Sequence, residues 1–155
     1  MLNWLIELVS NPFLIVSVSS WFVAQVLKTI IYVIVHREMN WERMIGDGGM
    51  PSGHSATVSS LALMCLLMCG PGSVEFAISA ILAIIVCHDA MGVRLETGKQ
   101  AVVINELVEA FNLMVSQDVT DAQLKELVGH TPLQVCAGIL VGVVNAVVMY
   151  FCFFV

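Results

Sequence analysis

Four apolar stretches decide what this chain can become: Pro12–Val35, a shorter His54–Cys69, Val74–Met91 and Pro132–Val155. About 20 apolar residues in a helix cross the roughly 30 Å hydrocarbon core of a bilayer, and inside lipid every backbone polar group must find a partner within its own segment. Helices meet both demands. With 59% hydrophobic residues, 12% charged residues and a mean hydropathy of +0.92, the chain has too much apolar surface to hide in one soluble core. The expected fold is therefore all-α: a polytopic membrane helical bundle of about four transmembrane helices plus a cytoplasmic amphipathic helix. Residues 1–155 form a single membrane-embedded domain. The net charge of −6 leaves no basic face for nucleic acid. Five cysteines lie within apolar runs without metal-finger spacing and read as small packing residues rather than disulfides or zinc ligands.

Met1–Ser10 is too short to span and lacks a basic leader, so it reads as an interfacial stub with no cleaved targeting sequence. In the first span, Lys28 is an ammonium two turns inside the helix end, with Gln25 one turn away on the same face. It either snorkels to the interface or meets an anion. A charged loop from His36 to Gly49 follows, ending in Asp47-Gly48-Gly49. Asp47 is a turn-former or a cation ligand. The second and third spans are joined by Gly70-Pro71-Gly72-Ser73 and form a hairpin whose far end carries Asp89 and Arg94. Gly92 permits a break that would let those two side chains pair or clamp a substrate.

Thr97–Gln117 has an amphipathic pattern, with Val103, Leu107, Ala110, Phe111 and Met114 on one stripe expected to pack on the bundle or lie in the interface. Asn105 and Glu106 either serve the site or, the favoured reading, face water, and Asp118–Val128 continues as a second polar segment. The last span opens at Gly129-His130-Thr131-Pro132, with Thr131 placed to cap and Pro132 in the first turn. Gly138 and Gly142 make a small-residue face for close packing, within the bundle or in a homo-oligomer.

Met50-Pro51-Ser52-Gly53-His54-Ser55 reads as another helix mouth, since Pro, Ser and Gly interrupt helix and Ser52 and Ser55 suit its cap. Unpartnered N–H groups, the helix dipole and a glycine that admits close approach together suit an anion. Outside the first span, lysine and arginine fall only in the loops holding Arg37 and Arg43 and holding Arg94, Lys99 and Lys125. Four crossings put both loops on one side, expected to be cytoplasmic, with the N- and C-termini opposite. Lys28, His54, Asp89, Arg94 and His130 then share one membrane face. Two imidazoles beside an anion cradle and fixed cations suit phosphoryl transfer, in which one ring attacks phosphorus and the other protonates the departing oxygen.

These residues resemble a known family. Pro51-Ser52-Gly53-His54 is similar to the central motif of the type 2 phosphatidic acid phosphatase superfamily, which includes acid phosphatases and vanadium haloperoxidases. Asp47–Ala56, His88–Arg94, Gly98–Ala101 and Gly129–Pro132 together resemble its small divergent membrane branch. The resemblance implies that His54 is the acid for the leaving group and His130 the nucleophile that forms a phosphohistidine. Gln134 stands where the family has an aspartate that orients that nucleophile. Leu124 replaces a motif arginine, with Lys125 adjacent. Lys28 fits the first motif's lysine, but Val35 takes its arginine position and Arg37 lies two residues on.

The reading is a membrane phosphatase for a phosphomonoester or pyrophosphate, with lipid phosphate the favoured class and membrane lipids its surroundings. His54, His130 and Gln134 form the catalytic set. Lys28, Ser52, Gly53, Ser55, Arg94 and Lys99 hold phosphate, Asp47 and Asp89 support them, and no metal or other cofactor is expected. The competing reading is a degenerate site that binds a phosphorylated headgroup or moves a small anion without hydrolysis. A third, metal-dependent, would use Asp47, Asp89 and Glu106.

Overall fold

The computed structural model describes residues 2–37, 49–115, 124 and 129–153, all of the regular structure among them helical. Helix α1, Leu2–Val9, is the expected short stub. Asn11 then caps α2, Pro12–His36: its Oδ1 accepts from the N–H of Phe13 at 2.9 Å and of Leu14 at 3.3 Å, and Pro12 fills a first-turn position that needs no donor. Ser52 caps α3, Gly53–Cys69, and Ser73 caps α4, Val74–Met91. Helix α6, Pro132–Phe153, opens on a reciprocal cap, in which Thr131 N–H donates to Gln134 Oε1 at 3.1 Å and Gln134 N–H to Thr131 Oγ1 at 3.4 Å.

Helix α5 runs Val93–Val115, beginning four residues before the expected Thr97. Gly92 alone makes the elbow, at φ −98° and ψ −95°, so the backbone re-enters helix at once. Its apolar stripe also faces the other way from a packed one. Val103, Leu107, Phe111 and Met114 are exposed, whereas Gly98 and Ala101 are buried. Small residues let the helix approach closely on that side, which leaves the larger apolar residues outward, as an interfacial helix requires. Nor does Asn105 simply face water: its amide donates to the Leu124 carbonyl and accepts from the Leu124 N–H, both at 3.0 Å.

Helix α3 is central and packs against α2, α4 and α6. A Cβ on Gly138 would strike the Ser52 carbonyl oxygen, and one on Gly142 the Ala56 carbonyl and Ser59 Oγ. The small-residue face of α6 is thus occupied within the chain's own bundle. Toward the other end, Val16, Met64 and Ala146 form a core flanked by Phe13, Leu63, Met149 and Tyr150. Asn145 Nδ2 joins α6 to α2 by donating to Ser19 Oγ at 2.9 Å and Ser20 Oγ at 2.8 Å, which satisfies an amide inside an apolar bundle.

Pro12–His36, Val74–Met114 and Pro132–Phe153 are long and apolar enough to cross a membrane. Helix α3 is apolar but has 17 residues, about 25 Å at 1.5 Å per residue. Ile78, Ile81, Ile84 and Ile85 of α4 point outward as a lipid-facing surface should. The chain is a helical membrane bundle. Helices α3 and α6 run parallel to each other and antiparallel to α2, so both expected mouths open at the same end.

Candidate functional site

Three backbone contacts assemble that end. Ser52 N–H donates to the Gln134 carbonyl at 3.0 Å, tying the α3 mouth to α6. His130 N–H donates to the Ala90 carbonyl at 3.0 Å, tying the approach to α6 onto the end of α4. Gly129, at φ +87°, lies so close to the Arg94–Leu95 backbone that any side chain there would collide with it. His130 is consequently 2% exposed.

The rings of His54 and His130 meet across this junction with centroids 6.2 Å apart and planes inclined by 56°. At that separation nitrogens of both rings are near enough to contact one small polar group at this end.

Gln134 sets the tautomer of His130. Its Oε1 accepts from Thr131 N–H, which identifies the atom as oxygen, and the same oxygen lies 3.3 Å from His130 Nδ1. Nδ1 therefore carries the proton in the neutral ring, and Nε2 carries the lone pair. The expected orienting role of Gln134 has its geometry here, although a neutral amide stabilises imidazolium less than a carboxylate would.

Ser52 and Ser55 are fully buried and bonded to each other: Ser55 N–H and Ser55 Oγ donate to Ser52 Oγ at 3.3 and 3.1 Å. Their hydroxyls build the cap. With the Ser52 and Ser55 N–H groups engaged, those of Gly53 and His54 are the donors that the helix start leaves for an anion. Gly53 has no side chain because Trp21 and Gln25 fill its place: a Cβ would stand 3.2 Å from Trp21 Cδ1 and 4.0 Å from the Gln25 amide carbon.

Lys28 is 4% exposed, which removes the snorkelling alternative. Its stem runs along Gly49, whose Cβ would lie 3.4 Å from Lys28 Cγ. Beyond it, a cleft of about 180 Å³ is lined by Lys28, Ile31, Tyr32, Val35, His36, Gly49 and Met50. A buried ammonium needs anionic or strongly polar company.

The other expected phosphate ligands are engaged elsewhere. Arg94 Nε donates to Asp89 Oδ2 at 2.8 Å in a half-exposed pair across the Gly92 elbow. Lys99 Nζ lies 2.6 Å from Glu96 Oε1 on the exposed side of α5, three residues apart. Glu106 is exposed, and Asp47 lies outside the described residues. One residue was underrated by sequence reasoning. The Oε1 of Gln25, beside Gly53, is buried without a hydrogen-bond partner, and only its one-turn spacing from Lys28 pointed to it.

A helical membrane bundle with two histidines close together where two helix mouths meet defines the class. The chain matches the model of the Divergent PAP2 family over residues 9–145 and belongs to that family, which relates it to phosphatases. It is 42% identical, over 95% of its length and 99% of the relative's, to the uncharacterized membrane protein YuiD of Bacillus subtilis (strain 168). No solved structure matches the chain.

Proposed function

We propose that the protein is a membrane phosphatase hydrolysing a phosphomonoester or pyrophosphate, with lipid phosphate the favoured substrate class, at a site on the cytoplasmic face. The observation that carries this reading is the facing of His54 and His130, 6.2 Å apart, at a helix mouth. His130 Nε2 attacks phosphorus, the bond to the leaving oxygen breaks, and that oxygen takes a proton from His54. His54, now neutral, accepts a proton from water as it attacks the phosphohistidine, releasing inorganic phosphate and restoring both rings. Lys28 and the N–H groups of Gly53 and His54 neutralise the equatorial oxygens.

The neutral Gln134 and the pairing of Arg94 and Lys99 with carboxylates favour a second reading, a site that binds phosphate without cleaving it. Purified protein in detergent decides between them. Hydrolysis predicts phosphate release from a panel of lipid phosphates, inhibition by vanadate, and loss of turnover in His54→Ala with the fold retained. Saturable phosphate binding with no His54-dependent release selects the second reading.

A further inference from the structure

Gln25 is 8% exposed, and its Oε1 has no hydrogen-bond partner. Its amide carbon stands 4.0 Å from the place a Gly53 side chain would occupy, at the first residue of α3 and next to His54. An orphaned buried acceptor costs stability in the empty protein, and a donor brought by a ligand relieves that cost. The other polar groups at this mouth, the Lys28 ammonium and the N–H groups of Gly53 and His54, are donors suited to anionic oxygens. A fully ionised tetrahedral anion brings acceptors alone and would set one against Gln25 Oε1. A phosphate that keeps one proton brings the missing donor.

We propose that Gln25 is a specificity-determining residue whose Oε1 accepts the hydrogen of a P–O–H group, so that the site takes protonated phosphate and rejects sulfate. The inference rests on the phosphate site proposed above. Buried groups built to bond a ligand's hydroxyl discriminate against the analogue lacking it, because they are then left unpaired.

The test is titration of the purified protein in detergent with inorganic phosphate and with sulfate at matched ionic strength. Wild type is expected to bind phosphate about tenfold tighter than sulfate or better, and Gln25→Leu and Gln25→Met to lose most of that ratio. Without ligand both variants should melt no lower than wild type, since they delete an unpaired acceptor, whereas a merely structural glutamine would lower the melting temperature when removed. In wild type alone, the affinity for glycerol phosphate relative to sulfate should fall as pH rises through about 6, where a phosphomonoester loses its last proton. The titratable groups on the surrounding elements, Lys28 on α2, His54 on α3 and His130 before α6, act on both anions, so the ratio isolates the ligand's own proton. Equal wild-type affinities would overturn the role of Gln25 and leave the phosphate site standing, as would unchanged discrimination in the variants. An amide turned to donate would give that same equality. Binding of neither anion would remove the phosphate site and this inference with it.

Discussion

Replacing Gly138 by alanine should part the two histidines. The new methyl would press on the Ser52 carbonyl oxygen and stand 3.0 Å from Ser55 Cβ and 3.1 Å from Ser52 Cβ, all on the cap of α3. Ordinary carbon contacts lie at about 3.5–4.0 Å, so α6 must back away from α3 by something on the order of 0.5–1 Å. Overpacking of this kind costs about 1–3 kcal/mol. The catalytic consequence should be larger. Gln134, one turn before Gly138, holds both the Ser52 N–H and the His130 ring, so the shift falls on the 6.2 Å gap between the imidazoles. A displacement near 1 Å at a reacting centre can reduce turnover by about 10²-fold. The assay pairs thermal unfolding in detergent with His54-dependent phosphate release. Gly72→Ala is the control, since a Cβ there meets nothing within 4 Å. If Gly138→Ala melts and turns over like the control, the close approach of α6 to the α3 cap does not set the site's geometry.

Gln134→Leu should lower kcat by about 10–100-fold with little change in KM, the usual effect of removing a group that orients a catalytic imidazole; Gln134→Glu, which keeps the acceptor and adds a charge, should restore turnover. Arg94→Ala and Asp89→Ala should each change stability by less than about 1 kcal/mol, because their pair is half-exposed, and the double variant should match either single one in thermal unfolding. Asn105→Ala removes the two hydrogen bonds to Leu124, about 2 kcal/mol of local restraint, and should speed amide hydrogen exchange at Leu124 without altering exchange in α3.

Helix punctuation is local chemistry, and it was legible. Asn11-Pro12, Ser52-Gly53, Ser73 and Thr131-Pro132 each carry their own cap, so the residues that start a helix are visible without knowledge of what the helix packs on. The count of crossings then forces both mouths to one end, which is why His54 and His130 could be paired from residues far apart in the chain. What periodicity does not contain is the identity of the partner. The stripe Val103–Met114 was a real amphipathic pattern, but a membrane protein has two apolar surroundings, its own core and the lipid, and the pattern is the same for both. Small residues such as Gly98 and Ala101 mark the packed side better than large ones do, because without a hydrophobic force between helices in lipid, close approach decides which faces meet.

The cations divide in a related way. Arg94 and Lys99 were candidates to replace the motif's missing cations, and in the structure each pairs at the surface with a carboxylate within five residues. Lys28 has no acidic residue within five positions on either side, and it is the cation that the fold buries beside the α3 mouth. In a membrane bundle, then, the informative cation is the one with no acidic residue near it in sequence, since a cation paired with a near neighbour in sequence can stay at the surface while a buried one takes its polar company from tertiary structure or ligand. That argument singles out Lys28→Met as the substitution that should abolish phosphate binding, measured by the same titration, while Lys99→Met leaves it unchanged. Equal losses in the two variants would show that charge count near the membrane face, rather than the buried mouth, governs binding.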